Sequence, residues 1–194
     1  DYVITATQSE ITYAMSSLAD GIRLAPVVIT PSNPYKTGDE TLIWTITKSG
    51  DNYTISQGKN YLSWESDNSA TTSTTPYELV ITKNKSEGTY QIASAATPSR
   101  ILAKNDQAAL GFGFYTGSQT KDLTLIPAEY VKLPEITLDQ TTLTLSYNDT
   151  ETHYIPVTLK NAETQDVSVA IYDGTEGTEQ PDWITTGDYN GSEN

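Results

Sequence analysis

Apolar and polar residues alternate with period two along much of this chain, and one alternating motif occurs three times. Tyr2-Val3-Ile4-Thr5, Tyr53-Thr54-Ile55-Ser56 and Tyr90-Gln91-Ile92-Ala93 each set Tyr and Ile on one face of an extended segment. That pattern predicts a one-sided β-strand. Two copies follow another alternating segment across a polar turn: "TLIWTIT" (41–47) through "KSGDN", and "ELVIT" (78–82) through "KNKSEG". Each copy also precedes a short apolar strand: Tyr13-Ala14-Met15, Tyr61-Leu62 and Ile101-Leu102. The first copy has no strand before it. "DLTLI" (122–126) supplies the matching pattern at the far end, introduced by "FYTGSQTK" much as "PYKTGDE" introduces "TLIWTIT".

If Leu123–Ile126 pairs with Tyr2–Ala6, the ends close and three equivalent hairpins appear. The expected architecture for residues 1–127 is therefore a β-trefoil-like closed barrel, with closure removing the exposed edges. Irregular spacings of 51 and 37 residues between the motif copies leave room for insertions, or for a different small barrel. "PAEYVKLPE" (127–135) has Pro near both ends and little periodicity, so 128–133 reads as a linker. Beyond it the pattern changes. Short strands are expected at 136–138, 142–147, 153–160 and 166–172, broken by Asn, Asp, Thr and Gly turns, as in a β-sandwich.

Composition agrees with an all-β chain of two domains. There are 13 Tyr and 3 Trp among 194 residues, abundant Thr and Ser, and a single Met, a balance that suits pleated, half-buried surfaces. The absence of Cys excludes disulfides, thiolate chemistry and Cys-ligated zinc. No segment has the roughly 18–20 apolar residues that a membrane-spanning helix needs. Residues 1–127 carry 9 Lys/Arg against 12 Asp/Glu, a net of −3, whereas 128–194 carry 2 against 13, a net of −11. A field of that sign repels phosphate backbones, so nucleic acid is not expected as a partner.

The segment "LPEITLDQTTLTLSYNDTETHYIPVTLKN…PDWITTGDYNGSEN" resembles the front part of a BACON-type domain. Its carriers are Pro134-Glu135-Ile136-Thr137-Leu138, the Leu143-Thr144-Leu145 strand, and Trp183-Ile184 before a Gly/Asn turn. The resemblance implies an immunoglobulin-like sandwich over 134–194, in an exported or surface protein of gut Bacteroidetes, with any lipid anchor lying upstream of Asp1. Family members continue past the Trp turn with closing strands, so 134–194 reads as an incomplete domain, either cut short or completed by another chain. The first part is loosely similar to uncharacterised modules of the same kind of surface protein.

Candidate chemistry is sparse. His153 is the single histidine, and no Gly-x-Ser-x-Gly elbow accompanies it. The carboxylates of "DGTEGTEQPD" (173–182), with Asp173, Glu176, Glu179 and Asp182, lack EF-hand spacing and read as an acidic loop. "LGFGFYTG" opens no helix, and Gly111 and Gly113 between aromatics point to a bulge or close strand packing. No enzyme, cofactor or metal is expected. Aromatics beside polar groups are the better lead, because rings stack on the apolar faces of sugars while Asp and Asn hold their hydroxyls. Trp64 with Asp67 and Asn68 is the first candidate for polysaccharide or mucin-glycan binding, and Tyr35 and Tyr115 are the next. Against this, Trp64 shares the inward phase of Leu62, and the Gln-x-Trp signature of ricin-type lectins is absent. The rival expectation is a structural spacer or fimbria-like subunit. Trp44 and Trp183 read as core residues.

Overall fold

The computed structural model describes residues 1–84, 88–107, 109–117, 119, 122–132, 135–138 and 157–160. The expected strands at 142–147 and 166–172, His153, Trp183 and the acidic loop with Asp173, Glu176, Glu179 and Asp182 lie outside them. The chain is all-β apart from one short 3-10 helix among the described residues, and it divides into two compact units, Asp1–Lys132 and Leu133–Asn194.

The first unit is built from β1 (Tyr2–Gln8), β2 (Ile11–Asp20), β3 (Arg23–Ile29), β4 (Tyr35–Thr37), β5 (Thr45–Ser49), β6 (Asn52–Gln57), β7 (Asn60–Ser63), β8 (Thr71–Ser73), β9 (Leu79–Lys83), β10 (Thr89–Ser94), β11 (Ile101–Lys104), β12 (Phe112–Tyr115) and β13 (Leu123–Tyr130). The expected end-to-end pairing is present: Val3 faces Ile126, Ile4 faces Leu125 and Thr5 faces Thr124 across β1 and β13. Six strands continue that pairing into a closed ring. β1 meets Trp44, just before β5, through an antiparallel bridge in which Tyr2 and Trp44 exchange hydrogen bonds of 2.8 and 2.9 Å. β5 then pairs with β6, β6 with β9, β9 with β10, and β10 with β13.

Threefold equivalence extends into the core. Ile4, Ile55 and Ile92, the Ile of each repeated motif, are all fully buried. Their cross-strand partners are Leu125, Ile46 and Ile81 in turn, each partly buried against the same cluster. Two residues before each partner stand Leu123, Trp44 and Leu79, and on the following strands Met15, Leu62 and Leu102, all fully buried. Burial of that order is worth about 1.5–3 kcal/mol per large apolar side chain. The repeated motif therefore supplies the equivalent layers of one core.

Three further hairpins, β2–β3, β7–β8 and β11–β12, interlock with one another. β12 meets β3 at Phe112 and Leu24. Ala70 N–H donates to Ile22 O at 2.9 Å, and Phe114 N–H donates to Ser69 O at 3.1 Å. The two glycines flanking Phe112 have the close packing read from the sequence. A Cβ on Gly111 would collide with the Leu24 carbonyl, and one on Gly113 with the Asn68 carbonyl.

Two expectations are corrected. The strand expected over 41–47 starts only at Thr45, because the Asp39 carboxylate accepts from Thr41 N–H at 2.9 Å and from its hydroxyl at 2.6 Å. That cap turns Glu40–Leu42 into the 3-10 helix. Ala128–Tyr130, assigned to a linker, extends β13 instead and pairs in parallel with β4, Tyr130 opposite Thr37. In the second unit, β14 (Glu135–Leu138) and β15 (Val157–Lys160) pair antiparallel, Glu135 opposite Lys160 and Leu138 opposite Val157.

Candidate functional site

Trp64, Asp67 and Asn68 do come together, in the loop between β7 and β8, but the chain itself occupies their binding features. The Trp64 indole N–H donates to Asp67 O at 3.0 Å. The Arg100 guanidinium lies 5.1 Å from the ring centroid, close enough for cation–π attraction. Its Nη1 donates to Asp67 O, to Asn68 Oδ1 at 3.2 Å and to Phe114 O at 3.5 Å. Ser69 Oγ accepts from the backbone N–H groups of Glu65 and Ser66, closing the loop on itself. Trp64 is half-buried and packs on the core. One ring face and the ring N–H are thus already engaged.

Tyr35 and Tyr115 hold matching places in sequence but not in space. Tyr115 is buried on β12, where its hydroxyl accepts from Arg23 Nε at 2.7 Å and from Asn105 Nδ2 at 3.2 Å. Tyr35 is half-buried on β4 and packs against a second cluster containing Val3, Ala14, Ile29 and Leu42. Of the other candidates, Tyr115 lies nearer the Trp64 loop, because its ring and the Asn68 carbonyl both border the space that a Cβ on Gly113 would enter. Tyr35 belongs elsewhere.

A groove of about 510 Å³ has the composition expected of a sugar site more closely. It is lined by Asp1, Glu40, Thr45, Gln57, Lys59, Asn60 and Tyr130, among others. Tyr130 is 49% exposed, an aromatic ring open to solvent. Its place is fixed by the pairing of β13 with β4, reinforced by Val131 N–H donating to Thr37 O at 3.0 Å. Gln57 and Asn60 flank the two-residue turn between β6 and β7, in which Gly58 adopts a φ of 57° that other residues avoid. Gln57 Nε2 donates to Glu40 O at 2.8 Å, and Thr45 Oγ1 donates to Asp1 Oδ1 at 2.6 Å, which steadies two walls. The side chains of Glu40, Lys59, Asn60 and Tyr130 make no hydrogen bond to any described residue. Donors, acceptors and an exposed ring therefore converge with their capacity open.

A second depression, of about 460 Å³, is lined chiefly by Pro31, Asn33, Tyr90, Leu125 and Pro127. Its ring is half-buried and its Ser32 hydroxyl donates to Pro34 O at 2.9 Å, so it presents fewer open polar groups.

The sequence reading passed over Tyr130 because the flanking prolines made its segment look like a linker. It also passed over Lys104, which is fully buried on β11. Lys104 Nζ donates to Asn105 O at 3.0 Å and Gln107 O at 3.1 Å and stands 4.6 Å from the Tyr13 ring centroid. Burial pulls its pKa below the ordinary lysine value, with Asp106 opposing that shift. Among the described residues no three His, Asp or Glu side chains gather as a metal site would require.

No protein-family model matches this chain, and no curated protein does. Among solved structures, the chain is similar to a GlcNAcα1-4Gal-releasing endo-β-galactosidase from Clostridium perfringens, at 12% identity and a TM-score of 0.50, over 66% of this chain and 32% of that one. A mosquitocidal holotoxin matches at 18% identity and a TM-score of 0.49, over 71% of this chain and 18% of the toxin. The chain thus spans a third or less of either neighbour, and at such identities the first likeness concerns the fold alone.

Proposed function

We propose that this chain is a non-catalytic glycan-binding module of an exported or cell-surface protein, with neutral saccharide held in the Tyr130 groove. In this reading the first unit is a β-trefoil and the second a BACON-type immunoglobulin-like domain. The closed six-strand ring, the three interlocked hairpins and the threefold core support the trefoil assignment. The BACON assignment rests on the residues from Pro134 onward quoted above.

One observation carries the function: the exposed Tyr130 ring stands beside Glu40, Lys59 and Asn60, whose polar groups are open. Saccharide sites pair an apolar platform with a few polar groups that fix orientation, and a tyrosine offers that platform at low conformational cost. Glu40 and Asp1 both line the groove, but both are exposed to water. A glycosidase needs one carboxyl held protonated by an enclosed site, so binding accounts for the groove better than hydrolysis. The likeness to an enzyme that acts on a galactoside speaks for the fold; the groove is what supports the binding.

The test is a glycan array spanning plant polysaccharides and mucin glycans, read with the unmodified protein and with Tyr130→Ala. The expected outcome is retention of at least one neutral glycan and its loss, by about tenfold or more in affinity, in the variant, as for removal of an aromatic anchor. Absence of binding to every glycan would overturn this reading and favour the spacer role, which the self-contained Trp64 loop already suits.

A further inference from the structure

β13 changes neighbours partway along its length, and the change leaves a gap in the sheet. On one side it runs beside β1, with Val3 opposite Ile126 and Ile4 opposite Leu125. On the other it pairs with β10 as far as Thr124, opposite Thr89, and with β4 from Ala128 onward, opposite Tyr35. Leu125, Ile126 and Pro127 therefore have no strand pairing on that second side. Alternation along the strand decides which of their groups look into the gap. Ala128 N–H donates to Asp1 O, toward β1, and Val131 N–H donates to Thr37 O, toward β4. Odd positions thus face the gap. The Leu125 N–H borders the β10 pairing and its carbonyl opens into the gap, while Pro127, having no N–H, places no donor there.

The gap is the depression of about 460 Å³ described above. Exposed Pro31 and Pro127 and the half-buried Tyr90 give it apolar walls. Ser32 gives its hydroxyl hydrogen to Pro34 O, which leaves its oxygen as an acceptor. The exposed Asn33 side chain makes no hydrogen bond to a described residue, and its amide offers both a donor and an acceptor. Among the described residues no charged side chain lines the depression. A matching ligand is neutral, brings a donor for the Leu125 carbonyl and an acceptor for Asn33, and sets an apolar group against the prolines. An amide group meets all of these requirements at once. β10 and β4 close the two ends. Three residues of strand span about 10 Å, which holds one amide with the ring that carries it but stops a peptide strand from running on.

We infer that this gap is a second saccharide site, separate from the Tyr130 groove, which holds the acetamido group of an N-acetylated amino sugar. The amide N–H donates to Leu125 O, the acetyl oxygen accepts from Asn33 Nδ2, and the methyl group packs on Pro31 and Pro127. The preference for an amide rests on the gap in β13; that a sugar carries the amide rests on the glycan reading above.

The experiment is an NMR titration of the full chain with N-acetylglucosamine and N-acetylgalactosamine, each beside its parent hexose, glucose and galactose. At least one acetamido sugar should shift the backbone amides of Asn33, Gly88, Tyr90 and Leu125, and neither hexose should. Asn33→Ala should weaken that binding about three- to tenfold, as for one lost hydrogen bond, while Tyr130→Ala leaves it unchanged. A sugar without an acetamido group should shift the Tyr130 groove alone. Shifts at the gap as large from the hexoses as from the acetamido sugars, or none there from any of the four, would overturn the proposal. That comparison is made on the unmodified protein, so it decides even where a variant fails to fold. Acetamido-specific shifts at the gap, with no glycan bound at Tyr130, would leave this site standing and remove the groove reading, whereas the reverse would remove this site alone.

Discussion

Lys104 shows how much a single residue can reveal about the interior of a chain that looked mostly polar. An ammonium group has no exposed surface there, and two backbone carbonyls and the Tyr13 ring replace its water. Burial nevertheless disfavours the charged form, and the pKa falls below the ordinary 10.5, desolvation outweighing the pull of Asp106. The folded protein therefore releases this proton at lower pH than the unfolded chain does. Between those two values the unfolded chain binds more protons, so stability from this site rises with pH across that window. Wild type should accordingly gain stability relative to Lys104→Met as pH is raised toward 10.5, measured by denaturant unfolding at each pH. A pH-independent difference between the two proteins would contradict the account. Nothing in "ILAKND" marks this lysine as buried, because its neighbours Ala103 and Asn105 read equally well as the end of an exposed strand.

At the level of elements, the sheet layer and the hairpin layer are held by different means. The sheet ring relies on repeated apolar layers, whereas the hairpins are joined across repeats by cations on aromatic rings: Arg23 over Tyr115, Arg100 over Trp64 and Lys104 over Tyr13. Arg100→Ala removes one such join together with the bonds to the Asp67 and Asn68 loop. It should cost about 1–2 kcal/mol and speed amide exchange of Phe114 and Ala70, whose N–H groups cross between hairpins. Unchanged exchange at those amides would show that the hairpins interlock without it. The repeated Tyr-x-Ile strands, the strands that follow them and the β1–β13 closure were legible because period-two alternation survives in them. The β3 strand and β4 were not, since "RLAPVVI" contains Pro26 and "YKT" is too short to carry a period. The start of β5 was misread because an Asp39 side chain, rather than hydrophobic pattern, decides the backbone there. Trp64 was legible as a candidate and also as an inward-phased residue, and the half-buried ring under Arg100 agrees with the second of these.

Across the whole molecule, the threefold core accounts for the repeat without calling on function, and function is read where the threefold pattern breaks. The Tyr130 groove draws on the chain's first residue, the 3-10 helix after β4, the β6–β7 turn and the extended end of β13. The groove has no equivalent at the other two repeats in the sequence pattern, which is why a reading built on repetition found the end-to-end strand pairing and missed the groove. The central claim is that a glycan sits against Tyr130. An NMR titration of backbone amides with the shortest neutral oligosaccharide retained on the array tests it most directly. The account predicts shifts confined to Glu40, Thr45, Gln57, Gly58, Lys59, Asn60 and Tyr130; shifts centred instead on Trp64, Asp67 and Asn68, or none anywhere, would contradict it.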